Sequence, residues 1–212
     1  LYFSADTDAD TYGSDTRILN RKDLETQLHD NTFDAANVAR VVIIQCAGTR
    51  KPPKNYCSRV CCATTLKHAL TIKQQNPDAE IYVFYRDMMA YGFLESYFTK
   101  ARKAGVIFIS YTPDAPPAVT ASDEAVVVSG HEPVIDREIE IAADLVVLAT
   151  GMVPEMPQTL LADFAAEADE HGFFREAEYK WRPVESPGQG GFACGIALAP
   201  KSISESISSA EA

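Results

Sequence analysis

Residues 39–87 read ARVVIIQCAGTRKPPKNYCSRVCCATTLKHALTIKQQNPDAEIYVFYRD. Val41 to Ile44 form a continuous β-branched run, the signature of a strand covered on both faces, as strands of parallel sheets are. The run ends at Cys46. A loop with two prolines follows, and then SRVCCATTLKHALTIKQQNP predicts a helix capped by Ser58 and stopped before Pro77. EIYVFYRD predicts a second buried strand in which Tyr82, Phe84 and Tyr85 are core. Strand, helix and strand in that order imply parallel pairing with a right-handed crossover.

Working outward, GFLESYFTKARKAG (92–105) predicts a second helix with Gly105 at its C-terminal end, and VIFISY (106–111) a third strand. The βαβαβ alternation defines an α/β fold with a parallel sheet. The pattern then changes. AVVVSG (125–130), the region around Pro133 and REIEIAA (137–143) predict an inserted antiparallel hairpin or meander. DLVVLATGMVP (144–154) returns to a buried strand. The tail predicts a short helix near 158–167, a Gly/Pro-rich stretch ending in GQGGFACG (188–195), and a last helix within KSISESISSAEA (201–212). Before the sheet, NRKDLETQLHD (20–30) predicts a short helix with Asn20 as N-cap. The expected organisation is a flexible arm or tag remnant at 1–16, an α/β domain with its cysteine loop at 17–150, and a C-terminal segment at 151–212.

The 212 residues are 46% apolar and carry a net charge of −11. Such a surface repels nucleic acid and anionic membrane. No apolar run approaches the roughly 20 residues of a membrane-spanning helix. The first residues show no signal-peptide pattern, and the cysteines do not form a dispersed disulfide framework, so a reducing, cytoplasmic setting is expected.

Four of the five cysteines fall at Cys46, Cys57, Cys61 and Cys62, a Cys-x10-Cys-x3-Cys-Cys spacing. Four thiolates at a strand end and a helix start suit an iron–sulfur cluster, and the free N–H groups of a helix start favour its negative charge. A structural zinc accepts the same donors, although its usual paired Cys-x2-Cys spacings are absent. A Cys57–Cys61 dithiol pair and buried inert thiols are the other readings. Cys194 reads as a packing residue. Lys67, on the same helix as the thiols, is a cation that could stabilise a reduced group, or an exposed helix lysine; Arg59 has the same two readings. His68 reads as a helix surface residue. The four histidines make no metal spacing with one another.

The strand order, with ADLVVLATGMVP closing it and GGFACGIALAPKSISESI near the end, resembles the pyridine-nucleotide domain and late flavin motif of thioredoxin-reductase and disulfide-reductase flavoproteins. Together with CAGTR…YCSRVCC, IYVFYRDMMAYGFLESYFTKARKAGVIFISY and DEHGFFREAEYKWRPVES, the chain resembles the A-type subunit of heterodisulfide reductase over residues 12–210. The resemblance implies a Rossmann-like parallel sheet with inserted antiparallel strands, plus the C-terminal part of an FAD-binding domain. It implies a 4Fe–4S cluster on Cys46, Cys57, Cys61 and Cys62, and cofactor contacts at Thr150, Gly151, Gly195 and Lys201. Ile196 stands where that motif usually has an acidic residue. No Gly-x-Gly-x-x-Gly turn for an FAD diphosphate occurs, so the chain reads as a fragment that does not hold FAD by itself. The implied function is electron relay between FAD and the cluster in an anaerobe's oxidoreductase. The implied partners are other redox proteins with iron–sulfur clusters, such as a hydrogenase, a formate dehydrogenase or the catalytic component of a heterodisulfide-reductase-like complex. A docking domain with structural zinc and an NADPH-dependent disulfide reductase are the alternatives.

Overall fold

The computed structural model describes residues 2–4, 15–155, 158–163, 166–188 and 190–212. In chain order the elements are β1 (Tyr2–Ser4), β2 (Ile18–Asn20), α1 (Arg21–His29), β3 (Arg40–Ala47), α2 (Cys61–Gln75), β4 (Glu80–Tyr85) and α3 (Glu95–Lys103). There follow β5 (Ile107–Ser110), β6 (Ala118–Ala121), β7 (Val126–Glu132), β8 (Arg137–Ala143), β9 (Leu145–Thr150), β10 (Met152–Pro154), α4 (Gln158–Asp163) and α5 (Ile203–Glu211).

The chain forms two compact units. The first runs from β2 to Gly48 and from Cys61 to Thr150. Its five-stranded sheet has the order β2-β9-β3-β4-β5, and every neighbouring pair is parallel. β3 from Val41 to Gln45 and the whole of β9 are buried, and mostly apolar, because both faces are covered. On one face Val41, Ile43, Ile81, Val83, Leu145 and Val147 pack with Leu24 of α1 and with Leu66, Ala69 and Ile72 of α2. On the other, Val42, Ile44, Phe84, Val146 and Leu148 pack against Val126, Val128 and Ile141 of the antiparallel meander β6-β7-β8. Strand alternation sends successive residues of β3 to these two cores in turn.

Phe84 is fully buried, while Tyr82 and Tyr85 are half-buried. Asn20 caps α1 through its side-chain oxygen, which accepts from the N–H groups of Lys22 and Asp23. Gly105 lies at φ +85° just past α3, the left-handed conformation of a helix C-terminus. Two short parts of this unit depart from the sequence reading. β2 extends the sheet beside β9, and its three residues are too few to announce a strand by pattern. β6 adds a third strand to the meander.

The second unit takes in β1, Thr49–Val60 and Gly151–Ala212. Here β1 pairs antiparallel with β10. Residues 2–4 of the expected arm are thus a strand, while residues 5–14 of it lie outside the described residues. Ser58 does not cap a helix. Its hydroxyl accepts the N–H of Met152 at 2.7 Å, and α2 opens instead at Cys61. Gly151 makes that contact possible, because a Cβ there would lie 2.5 Å from Thr49 Cγ2 and 2.6 Å from Ser58 Oγ. α4 is described over Gln158–Asp163, and residues 166–167 of its expected range are not helical, while 164–165 lie outside the described residues. α5 begins with a capping box between Ser202 and Glu205. Among the described residues no helix is long and apolar enough to cross a membrane.

Candidate functional site

From β3 the chain steps through α2 to β4 and then β5, while β9 and β2 lie on the other side of β3. Ligands of open α/β sheets bind at the carboxyl ends of the strands where the order turns back. Gln45 and Cys46 lie at that end of β3, and Thr150 ends β9. A crossover helix runs antiparallel to its strands, so α2 also opens there, with Cys61 and Cys62 as its first residues. The fold thus brings three of the four expected thiols to one end of one sheet.

Cys46 has φ +57°, and the pairing of β3 with β9 shifts register between Gln45 and Ala47. A bulge of this kind re-aims one side chain out of strand alternation, and a left-handed non-glycine residue there is a local strain. Cys61 and Cys62 are buried. The Cys61 thiol donates to the carbonyl of Thr150 at 3.7 Å, and that of Cys62 to the carbonyl of Asp87 at 3.6 Å. Cys57 belongs to the second unit, where its sulfur accepts the Arg59 N–H at 3.3 Å. None of the five cysteines forms a disulfide. Among the described residues no group of three or more His, Cys, Asp or Glu side chains is gathered as a metal site.

Polar atoms near these thiols lack partners. Both amide atoms of Gln45, the hydroxyl of Thr65 and the hydroxyl of Thr150 are buried without a hydrogen bond. Each residue is exposed by 1% or less. Leaving such a group unpaired costs about 1–3 kcal/mol. Soft sulfur donors and unpaired hydrogen-bond donors together fit an iron–sulfur cluster, which needs thiolates for its irons and tolerates donors to its sulfurs.

The other candidate residues have definite places. Lys67 forms an ion pair with Glu25 of α1. His68 is not a surface residue: it is 1% exposed, and its Nε2 lies 2.6 Å from Glu25. Burial pushes the His68 pKa down, and Glu25 offsets this only in part. Burial works against the charge on Glu25, but hydrogen bonds from Lys67 and His68 outweigh it, so its pKa lies below the usual value. A neutral His68 donating to an ionised Glu25 satisfies both directions. Nothing in the sequence singles out Glu25, because its partners lie on another helix.

In the second unit, Arg59 pairs with Glu205 and donates to the Pro200 carbonyl at 3.3 Å. The Ser202 N–H and Arg59 lower the Glu205 pKa to about 2. Gly195 has φ +63°, and its N–H donates to Ser209 Oγ at 3.2 Å. Lys201 Nζ donates to the same hydroxyl at 3.3 Å. Cys194 is exposed, and so is not the packing residue expected. Its neighbour Gly195 is buried instead, tight against Ser206.

The fold is that of the thioredoxin-reductase-like flavoproteins. It matches thioredoxin reductase of T. acidophilum with a TM-score of 0.63 and 14% identity, over 98% of this chain and 59% of that one. It also matches the HOCl-induced flavoprotein disulfide reductase RclA of Escherichia coli with a TM-score of 0.58 and 11% identity, over 94% of this chain and 39% of that one. By sequence the chain is homologous to the A-type subunit of heterodisulfide reductase. It is 37% identical to that component of the ferredoxin:CoB-CoM heterodisulfide reductase of Methanosarcina acetivorans, over 81% of this chain and 22% of that protein. It is 32% identical to the same component of the H(2):CoB-CoM heterodisulfide,ferredoxin reductase of Methanothermobacter marburgensis, over 94% of this chain and 32% of that protein. The chain therefore spans less than a third of the length of these relatives. No family model matches it.

Proposed function

We propose that this chain is a redox segment of a heterodisulfide-reductase-type oxidoreductase, in which Cys46, Cys57, Cys61 and Cys62 hold a 4Fe–4S cluster that works with FAD. The observation that carries this reading is the placement of Cys46, Cys61 and Cys62 at the carboxyl end of the parallel sheet, beside buried polar atoms without partners. The iron–sulfur name of a relative from Methanopyrus kandleri, 37% identical over 84% of this chain, points the same way. When bound, such a cluster supplies one-electron transfer. The chain's own part is to supply thiolates. Cys61 and Cys62 must give up the protons now donated to the carbonyls of Thr150 and Asp87. The positive end of the α2 dipole favours the resulting negative charge.

We assign FAD contacts to Thr150, Gly151, Gly195 and Lys201, and this stretch by itself is expected to hold no FAD. Partner proteins carrying iron–sulfur clusters, and a cytoplasmic setting, belong to the same reading.

The test is iron, sulfide and zinc analysis, with the visible spectrum, of protein purified without oxygen. About four irons and four sulfides per chain are expected, lost in the C61S/C62S double variant. One zinc and no iron would overturn the reading and make the thiols a structural clamp.

A further inference from the structure

Gln45 and Thr65 have no assigned role, yet Gln45 directly precedes Cys46 on β3 and Thr65 lies one helical turn from the buried Cys61 and Cys62. Along β3, Val41 and Ile43 face α2, while Val42 and Ile44 face the meander. Alternation therefore places the side chain of Gln45 on the α2 side, one step further toward the carboxyl end. On α2 the buried residues are Cys61, Cys62, Thr65, Leu66, His68, Ala69 and Ile72. Thr65 follows Cys62 by three positions and Cys61 by four, so it lies on the same helix face as both. Leu66, Ala69 and Ile72 already cover Val41 and Ile43. Gln45 and Thr65 thus cap this apolar layer at the end where Cys61 and Cys62 stand.

Both are fully enclosed, and both are unsatisfied. Gln45 is 0% exposed and Thr65 1%, with the Gln45 Nε2 and the Thr65 hydroxyl lacking partners. A threonine inside a helix usually returns its hydroxyl to the carbonyl four residues back. Here that carbonyl is Cys61's, and Thr65 does not use it. The backbone carbonyl of Gln45, by contrast, is satisfied by Tyr111 Oη at 2.6 Å, which pins the end of β3 and leaves only the side chain uncommitted.

We propose that Gln45 and Thr65 are positioning residues that donate hydrogen bonds to the sulfur atoms of the cluster and so set its reduction potential. This rests on the iron–sulfur reading above. The physical reason is charge. Reduction adds an electron to an already anionic group, and donors aimed at its sulfurs stabilise the more negative state. Removing a donor then makes reduction harder.

The experiment uses the whole chain, loaded with iron and sulfide without oxygen, and a potential titration followed by electron paramagnetic resonance. Thr65→Val and Gln45→Leu keep size and remove the donor. Each is expected to retain wild-type iron and sulfide and to shift the midpoint to a more negative value. A tenfold change in the equilibrium constant for reduction would appear as a shift of about 59 mV for a one-electron couple. Thr65→Ser, which keeps the hydroxyl, is expected to restore the wild-type potential. If an apolar variant fails to fold, Gln45→Met and Thr65→Ala carry the same comparison. Loaded variants with an unshifted midpoint would overturn this proposal while leaving the cluster reading intact. A wild-type chain that takes up no iron would overturn both.

Discussion

His68 shows how little a single residue's position along the chain says about its surroundings. It sits among polar neighbours on α2, yet it is buried against Glu25. Its depressed pKa has a signed consequence. The unfolded chain takes up this proton near the ordinary value of 6.5, and the folded chain only at a lower pH. The unfolded state therefore binds more protons just below that value, and stability falls as pH falls there. Glu25 stays ionised through this window because its own pKa lies below 4.5. Thermal unfolding of the wild type is expected to shift to lower temperature between about pH 7 and about pH 5, and less so in His68→Gln. Equal slopes in the two proteins would contradict the burial argument. Arg59 gives a second case. Its two sequence readings were a cation for a reduced group and an exposed surface charge, and the structure commits the guanidinium to Glu205 and the Pro200 carbonyl.

At the scale of elements, pattern served well where elements were long and failed where they were short. β3, β4 and β9 were legible because a strand covered on both faces must be apolar throughout. α1 was legible from Asn20, whose side chain does cap it. The start of α2 was not. Ser58 has the right chemistry for an N-cap, but its hydroxyl goes to Met152, 94 residues away in sequence. No local rule anticipates that choice. It goes with a close approach of the turn at Gly151, in the same unit as Thr49 and Ser58. A methyl at Gly151 would press on Thr49 and Ser58, both buried. Gly151→Ala is expected to lower stability by about 1–3 kcal/mol in urea denaturation. Part of that loss should return when Thr49→Ala is added, since this removes the methyl at 2.5 Å. A neutral Gly151→Ala would mean that the turn relaxes at no cost.

For the whole molecule, charge and exposed aromatics act against each other. The chain carries −11 at pH 7 and has a pI near 4.8. Phe93 is 98% exposed in the first unit, and Trp181 is 84% exposed in the second. Repulsion keeps such surfaces apart at neutral pH and fades as the net charge approaches zero. Light scattering is expected to rise as pH falls toward 4.8. Phe93→Ser and Trp181→Ser should delay that rise, and the same onset in wild type and variants would assign association to charge alone.

The residues alone carried the α/β class, the parallel sheet, the inserted antiparallel strands and the four thiols, because burial on two faces, helix capping and thiol chemistry leave local marks. Tertiary structure decided what those marks could not. It placed Thr49–Val60, and Cys57 with it, in the second unit. It turned Cys46 into a left-handed bulge, and it buried Gln45 and Thr65 without partners beside the sheet's carboxyl end. The reason is that a hydrogen bond or a register shift joins residues far apart in sequence, and their local patterns hold no record of one another.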